Sequence, residues 1–171
     1  GGVGEGTGPT GQGGAGTGWS RPEYRTVHRG RGGKGGPGSA GLGISQIVWS
    51  PMARGVLSGK YLPGQPVPEG SRATDEKSGA TFIQRFMKDD VLTAVQRLKP
   101  LAEQAGLTMP QLAIAWVLQN PNVAAALVGA SRPEQLADTV KASGVTLEPD
   151  LLAAIDDALA GVVNDDPADT Y

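Results

Sequence analysis

Cysteine is absent from this chain, which removes disulfide frameworks and thiolate zinc sites from consideration. Histidine occurs once, as His28, too few for a typical histidine metal cluster. A marked excess of either charge is also missing. The formal net charge is −2 and the pI about 5.4, so nothing in the composition points to a nucleic-acid or anionic-membrane partner. No apolar run approaches the roughly 18–20 residues needed to span a bilayer, and no basic-then-apolar leader resembles a signal peptide. The expectation is a soluble cytoplasmic protein with no metal, membrane or nucleic acid among its partners.

What is present divides into two unlike parts. With 171 residues, 39% of them hydrophobic, the chain can bury one modest core. Eighteen of the 27 glycines fall in residues 1–43, where five basic residues oppose two acidic ones. Leu, Ile and Val are almost absent there, and neither helical nor strand periodicity is seen. Such a segment cannot bury enough apolar surface to offset the entropy of ordering. Residues 1–42 therefore read as a disordered Gly-rich segment, and residues 43–171 as globular.

In the globular part, Ile44–Trp49 is a short β-branched, apolar run bounded by Ser-Pro, which predicts a buried strand. Pro63–Lys88 lacks periodicity and reads as a long surface loop. Asp89–Gln104 sets Val91, Leu92, Val95, Leu98, Leu101 and Ala102 on one helical face, with a mild kink expected at Pro100 and a stop at Gly106. Thr108–Gln111 fits a capping box opening a second helix, which Asn120-Pro121 ends. Val123–Val128 predicts a second buried strand. Ser131-x-x-Glu134 suggests another capping box, Asp150–Leu159 a last amphipathic helix, and Asn164–Tyr171 a polar tail. The order is that of an α/β protein. Two strands do not make a covered parallel sheet, and a complete eight-stranded barrel needs about 250 residues. The expectation is part of a domain.

Two segments carry candidate chemistry. Trp49–Lys60 leaves a strand end through Gly55 and Gly59, which permit close approach, with Ser50 offering a hydroxyl and Lys60 a cation suited to phosphate. An ordinary strand-to-helix connection with a solvated lysine fits the same residues. Leu127–Asp138 delivers Gly129 and then a helix start at Ser131, whose free N–H groups and positive dipole end suit an anion. Arg132 adds a guanidinium for phosphate or a purine face, and Gln135 and Asp138 are spaced to meet an adenine or ribose. A capped helix with a surface arginine fits this segment equally. Arg72 suits either a clamp or a solvated charge. Trp116 reads as core, and His28 has no partner at informative spacing.

Three motifs, WSPMARGVLSGKY from Trp49, LTMPQLAIAWVLQNP from Leu107 and LVGASRPEQLADTV from Leu127, stand in order. Together they resemble the aldo-keto reductase superfamily, in the bacterial branch similar to potassium-channel β subunits and general stress reductases. The resemblance covers Gly43 to about Gly161. It implies a C-terminal fragment, the last two strands and their helices, of an eight-stranded TIM-type (β/α)8 barrel binding NADPH. By motif, Trp49, Ser50, Pro51, Met52 and Ala53 would line the cofactor path, with Lys60 near the pyrophosphate and Arg72 closing over the adenosine half. Gly129, Ser131, Arg132 and Gln135 would hold the 2′-phosphate end, with Asp138 on the adenine side. Met52 stands where Leu is common, a volume-conserving change. Thr139 stands where many members carry Asn.

The family reduces aldehydes and ketones with a tyrosine acid tuned by Lys, Asp and His, so the implied partner of an intact parent is a small carbonyl compound. None of these four catalytic residues has a counterpart here; neither Tyr24 nor Tyr61 lies in the matching motif. The implied function is that of an NADP-dependent oxidoreductase fragment retaining the adenosine-phosphate part of the site and inactive alone. The alternative is a non-enzymatic, nicotinamide-sensing regulatory module like a channel β subunit. A phosphate-binding half-barrel acting as a homodimer is a third.

The stretch RPEYRTVHRGRGGKGGPGSAGLGI keeps the length of the family's approach to this strand but loses its sequence between Tyr24 and Leu42. Reading one nucleotide later from Arg25 lets Thr26-Val27-His28 become Leu-Phe-Thr and Arg29-Gly30-Arg31 become Glu-Val-Glu. The expectation is that residues 25–40, and much of residues 1–20, are a frameshifted translation. Arg21 stands where the family's nicotinamide-contacting Gln belongs.

Overall fold

The computed structural model describes residues 19–20, 25–27, 29, 40–75 and 80–163. His28, Tyr24 and the tail 164–171 lie outside them. Three strands, β1 (Trp19–Ser20), β2 (Ser45–Trp49) and β3 (Val123–Leu127), form one parallel sheet in the order β1-β2-β3. Two strands are expected from the sequence. The third, β1, is two residues long, too short for any side-chain alternation to announce it.

Among the described residues the helices after β2 are α1 (Ala80–Ile83), α2 (Asp89–Gln96), α3 (Leu98–Gln104), α4 (Met109–Leu118), α5 (Pro133–Thr139) and α6 (Pro149–Ala158). The hub is α4, in which every residue from Gln111 to Val117 is buried. A helix apolar all round belongs inside, and here it lies among β3, α3, α5 and the turn Ala53–Ser58. Its start is the expected capping box: the Thr108 hydroxyl accepts from the Gln111 N–H, and the Gln111 side chain accepts from the Thr108 N–H. The helix predicted over Asp89–Gln104 is interrupted at Arg97, where the backbone stays helical (φ −65°, ψ −17°) but the regular hydrogen-bond ladder lapses. Pro100 is the reason: its ring clashes with the carbonyl four residues back, that of Gln96, and it has no N–H to donate there. Gly106, at φ +66°, ends α3 in a Schellman motif, with Leu107 N–H donating to Ala102 O and Gly106 N–H to Glu103 O.

The predicted surface loop Pro63–Lys88 is anchored. Ile83 and Phe86 enter the core, three residues apart on one turn, too brief a pattern to register as periodic. In the stretch read as structureless, Arg25, Thr26 and Val27 are buried, Arg25 stacks 4.5 Å from the Phe86 ring, and Arg29 lies 4.6 Å from the Trp116 ring and pairs with Asp156 at 2.7 Å. Anchoring by arginine on aromatics leaves no apolar periodicity to read.

The strand predicted as buried over Val123–Val128 is mostly exposed. It is an outer strand of the described sheet, and it carries a bulge. Gln46 pairs with Val123, but Ile47 pairs with Ala125, so Ala124 is an extra residue. The extra residue flips the alternation. Val123 and Ala126 share the core side with Gln46 and Val48, while Ala125 and Leu127 share the more open face with Ile47 and Trp49. No helix among the described residues is long and apolar enough to cross a membrane.

Candidate functional site

Because β2 and β3 are parallel and Trp49 lies opposite Leu127, the chain leaves both strands at the same end of the sheet, about 4.8 Å apart. The Ser50–Lys60 loop and the Gly129–Asp138 segment, read separately from sequence, are thereby neighbours at their origins.

The first loop is unusual in its backbone. Ser50 (φ 58°), Ala53 (φ 47°) and Arg54 (φ 57°) are left-handed although none is glycine, and Gly55 and Gly59 are left-handed too. Each non-glycine residue so held costs about 1–3 kcal/mol, and such strain persists only where surroundings enforce it. Here Ala53, Val56 and Leu57 are buried, and Ala53 N–H donates to Ser50 O and Gly55 N–H to Met52 O. Pro51 is buried, and Trp49, Ser50 and Met52 are half-buried. At Gly59 a Cβ would stand 3.3 Å from Lys99 Cε, the end of an exposed flexible side chain, so the left-handed φ rather than space calls for glycine. Lys60 is exposed; its side chain passes 3.9 Å from where a Cβ on Gly55 would be, and its Nζ lies 5.1 Å from the Tyr61 ring. Tyr61 itself is 1% exposed, so its hydroxyl is not reachable from solvent.

The second segment departs from its expected cap. The helix starts at Pro133, with Arg132 as an extended N-cap making no side-chain cap bond. A residue preceding proline is pushed out of helical geometry, which forbids Arg132 from serving as the first helical residue of a Ser131-x-x-Glu134 box. The Ser131 N–H and hydroxyl both donate to Gln135 Oε1, at 2.9 and 3.1 Å. Pro133 has no N–H, and Gln135 N–H donates to Arg132 O. The free N–H row expected at this helix start is therefore largely spent, and any anion held here depends on side chains. Gly129, Ser131 and Arg132 are exposed, and nothing lies within 4 Å of a Cβ built on Gly129.

Asp138 is engaged structurally. Its Oδ2 accepts from the Thr108 hydroxyl at 3.0 Å, its Oδ1 from Gln111 Nε2 at 2.8 Å, and its backbone carbonyl from the same amide. It ties α5 to the start of α4. Arg72, exposed, opens the turn Arg72–Thr74. That turn reaches the first loop through α1: Ala80 N–H donates to Asp75 O, and α1 packs on Ala53–Ser58.

Sequence reasoning missed Arg54. Its guanidinium lies 4.7 Å from the Phe82 ring and 5.8 Å from the Trp49 ring. Phe82 is 28 positions away, so no local spacing signals the stack. Among the described residues, no cluster of three or more His, Cys, Asp or Glu side chains is placed to hold a metal.

The chain is 41% identical over 125 residues to a protein of Arabidopsis thaliana described as a probable voltage-gated potassium channel subunit beta, covering 73% of this chain and 37% of that protein. It is 37% identical over 120 residues to an L-glyceraldehyde 3-phosphate reductase of Escherichia coli O157:H7, covering 69% of this chain and 34% of that enzyme. The chain thus spans about a third of the length of these curated relatives. Among solved structures, a glycerol dehydrogenase from Gluconobacter oxydans aligns with TM-score 0.69 at 24% identity, over 90% of this chain and 44% of the other, a likeness of fold. The Aldo/keto reductase family profile matches residues 39–160, taking in both loops, α4 and the three motifs at once. With that match over most of its length, the chain belongs to the aldo/keto reductase family.

Proposed function

We propose that this chain carries the adenosine-phosphate end of an NADPH site from a carbonyl-reducing oxidoreductase of the cytoplasm, and that it does not turn over alone. One observation carries the reading. The pairing of Trp49 with Leu127 brings the origins of two loops together, and each loop presents an exposed cation, Lys60 and Arg132. Arg72 adds a third on the turn linked through α1.

The residues fit the group. An open Gly129 permits close approach, and the guanidinium of Arg132, with the Ser131 hydroxyl and the Gln135 amide beside it, suits a 2′-phosphate. Lys60 suits a pyrophosphate as a point charge. Trp49 to Ala53 would line the path towards the nicotinamide, and Arg72 would cover the adenosine half. Asp138 has only its remaining lone pairs to offer adenine, its hydrogen bonds to Thr108 and Gln111 being already made. When bound, the nicotinamide supplies the hydride for an aldehyde or ketone. The proton donor has no candidate among the described residues: Tyr61, buried and outside the family motif, is not one.

Titration of the chain with NADPH and NADH tests this. NADPH should bind more tightly, and Arg132→Ala should weaken NADPH roughly ten- to a hundredfold while leaving NADH unchanged, the value of one charge-assisted phosphate contact at about 1.5–3 kcal/mol. Equal binding of the two cofactors, or indifference to Arg132→Ala, would sink the reading.

A second reading is a nicotinamide-sensing regulatory module. The 41% identity to a protein described as a probable channel β subunit favours it. Co-purification with a membrane partner would support it over catalysis.

A further inference from the structure

We propose that Arg54 is a positioning residue: wedged between Trp49 and Phe82, it latches the Arg72 turn to the strand end from which the first loop leaves. The proposal rests on reading that loop as part of the dinucleotide site.

Four observations carry it. Arg54 is held left-handed at φ 57°, a conformation costly for arginine that fixes where its side chain departs. Its guanidinium has Phe82 at 4.7 Å and Trp49 at 5.8 Å, and its buried Nε has no hydrogen-bond partner, so the two rings are its partners. Phe82 is 52% exposed and contributes little to the core, which leaves the stack as the reason for an aromatic there. Finally, α1, which carries Phe82, is joined to the Arg72 turn by the bonds from Ala80 N–H to Asp75 O and from Asp75 N–H to Arg72 O. The line of force runs from Trp49 through Arg54 and Phe82 to Arg72.

Arginine suits this task because a planar guanidinium stacks on rings and stays charged while it does so. The stack costs the site no acceptor, since neither ring competes for a phosphate. A leucine at position 82 would keep most of the apolar area and lose the attraction. A tryptophan would strengthen it.

The test is a set of five chains: wild type, Phe82→Leu, Phe82→Trp, Arg72→Ala, and Phe82→Leu combined with Arg72→Ala, the last read against Arg72→Ala alone. Two readouts are used, NADPH affinity and the rate of tryptic cleavage after Arg72, which follows how often that turn opens. Phe82→Leu should raise the cleavage rate roughly three- to tenfold and weaken NADPH by a similar factor, the range of a partly exposed cation–π contact. Phe82→Trp should do at least as well as wild type in both, with cleavage no faster and NADPH bound no more weakly. With Arg72→Ala already present, Phe82→Leu should cost no further affinity, because the cation it positions is gone. Unchanged cleavage in Phe82→Leu, equal losses in the Leu and Trp variants, or additive affinity losses would overturn the latch. A chain that binds no NADPH in any form would instead refute the cofactor reading, and the cleavage rates would still decide whether Arg54 and Phe82 hold the turn.

Discussion

Asp138 illustrates how a side chain with the chemistry of a ligand contact can be taken by packing. Its carboxylate accepts from Thr108 and from Gln111, a residue only 6% exposed. Asp138→Ala would leave the Gln111 amide with one acceptor, the Asp138 carbonyl, and should destabilise the chain by about 1–3 kcal/mol. Thr108→Ala removes the cap and should cost about 1 kcal/mol. Both are read as shifts in urea midpoint at constant slope. If Asp138 serves adenine alone, Asp138→Ala will leave the midpoint where it was. The sequence marks Asp138, Gln135 and Arg132 by spacing, and spacing is blind to who arrives first. It marks Lys60 and Arg132 better, since an exposed cation in a glycine-flanked loop has few internal partners to choose from. Arg54 was illegible because its partners are one residue in a strand and one far along the chain.

At the level of elements, long amphipathic patterns translated faithfully and short ones did not. The helix over Asp89–Gln104 was visible from six apolar positions, yet its interruption at Arg97 depends on a single proline and a single carbonyl. The start of α5 turned on whether Ser131 or Arg132 would cap, and the proline decided it. Because Ser131 is not the cap, Ser131→Ala and Glu134→Ala should each change stability by less than about 0.5 kcal/mol, the range of ordinary surface substitutions. A loss near 1 kcal/mol in either, measured by thermal or urea unfolding, would restore the capping box. α1 and the turn after it were read as loop because two anchors, Ile83 and Phe86, fall below any periodicity window.

For the molecule as a whole, the fold class was legible from the alternation of strands and helices, and the family from three motifs in order. The extent of the sheet was not, because β1 has two residues. Among the described residues three parallel strands leave open sheet edges, and Leu127, Leu136 and Val140 are 43%, 55% and 62% exposed along β3, α5 and the turn after it. Edges and apolar faces of this kind associate. The purified chain should therefore enlarge with concentration in light scattering and should not oxidise NADPH when given a carbonyl compound. A monomer that melts cooperatively and turns over would contradict both. The family match begins at residue 39, at the close of the glycine-rich tract, and upstream of it we propose a frameshifted translation. The coding DNA tests it: the shifted frame upstream should be open and should encode barrel-like sequence with the Asp, Tyr, Lys and His, and stop codons there end the idea.

The bulge in β3 has a consequence for how this strand tolerates change in length. Ala124, Ala125 and Ala126 are consecutive, so deleting any one of them yields the same chain. The shortened run, Val-Ala-Ala-Leu, would pair one to one with Gln46–Trp49 and keep Val123 and Leu127 on their present faces. Leu127 would stay opposite Trp49. One residue of slack sits beneath the two loops, and a single-codon loss at this point is the kind of lesion the strand can absorb.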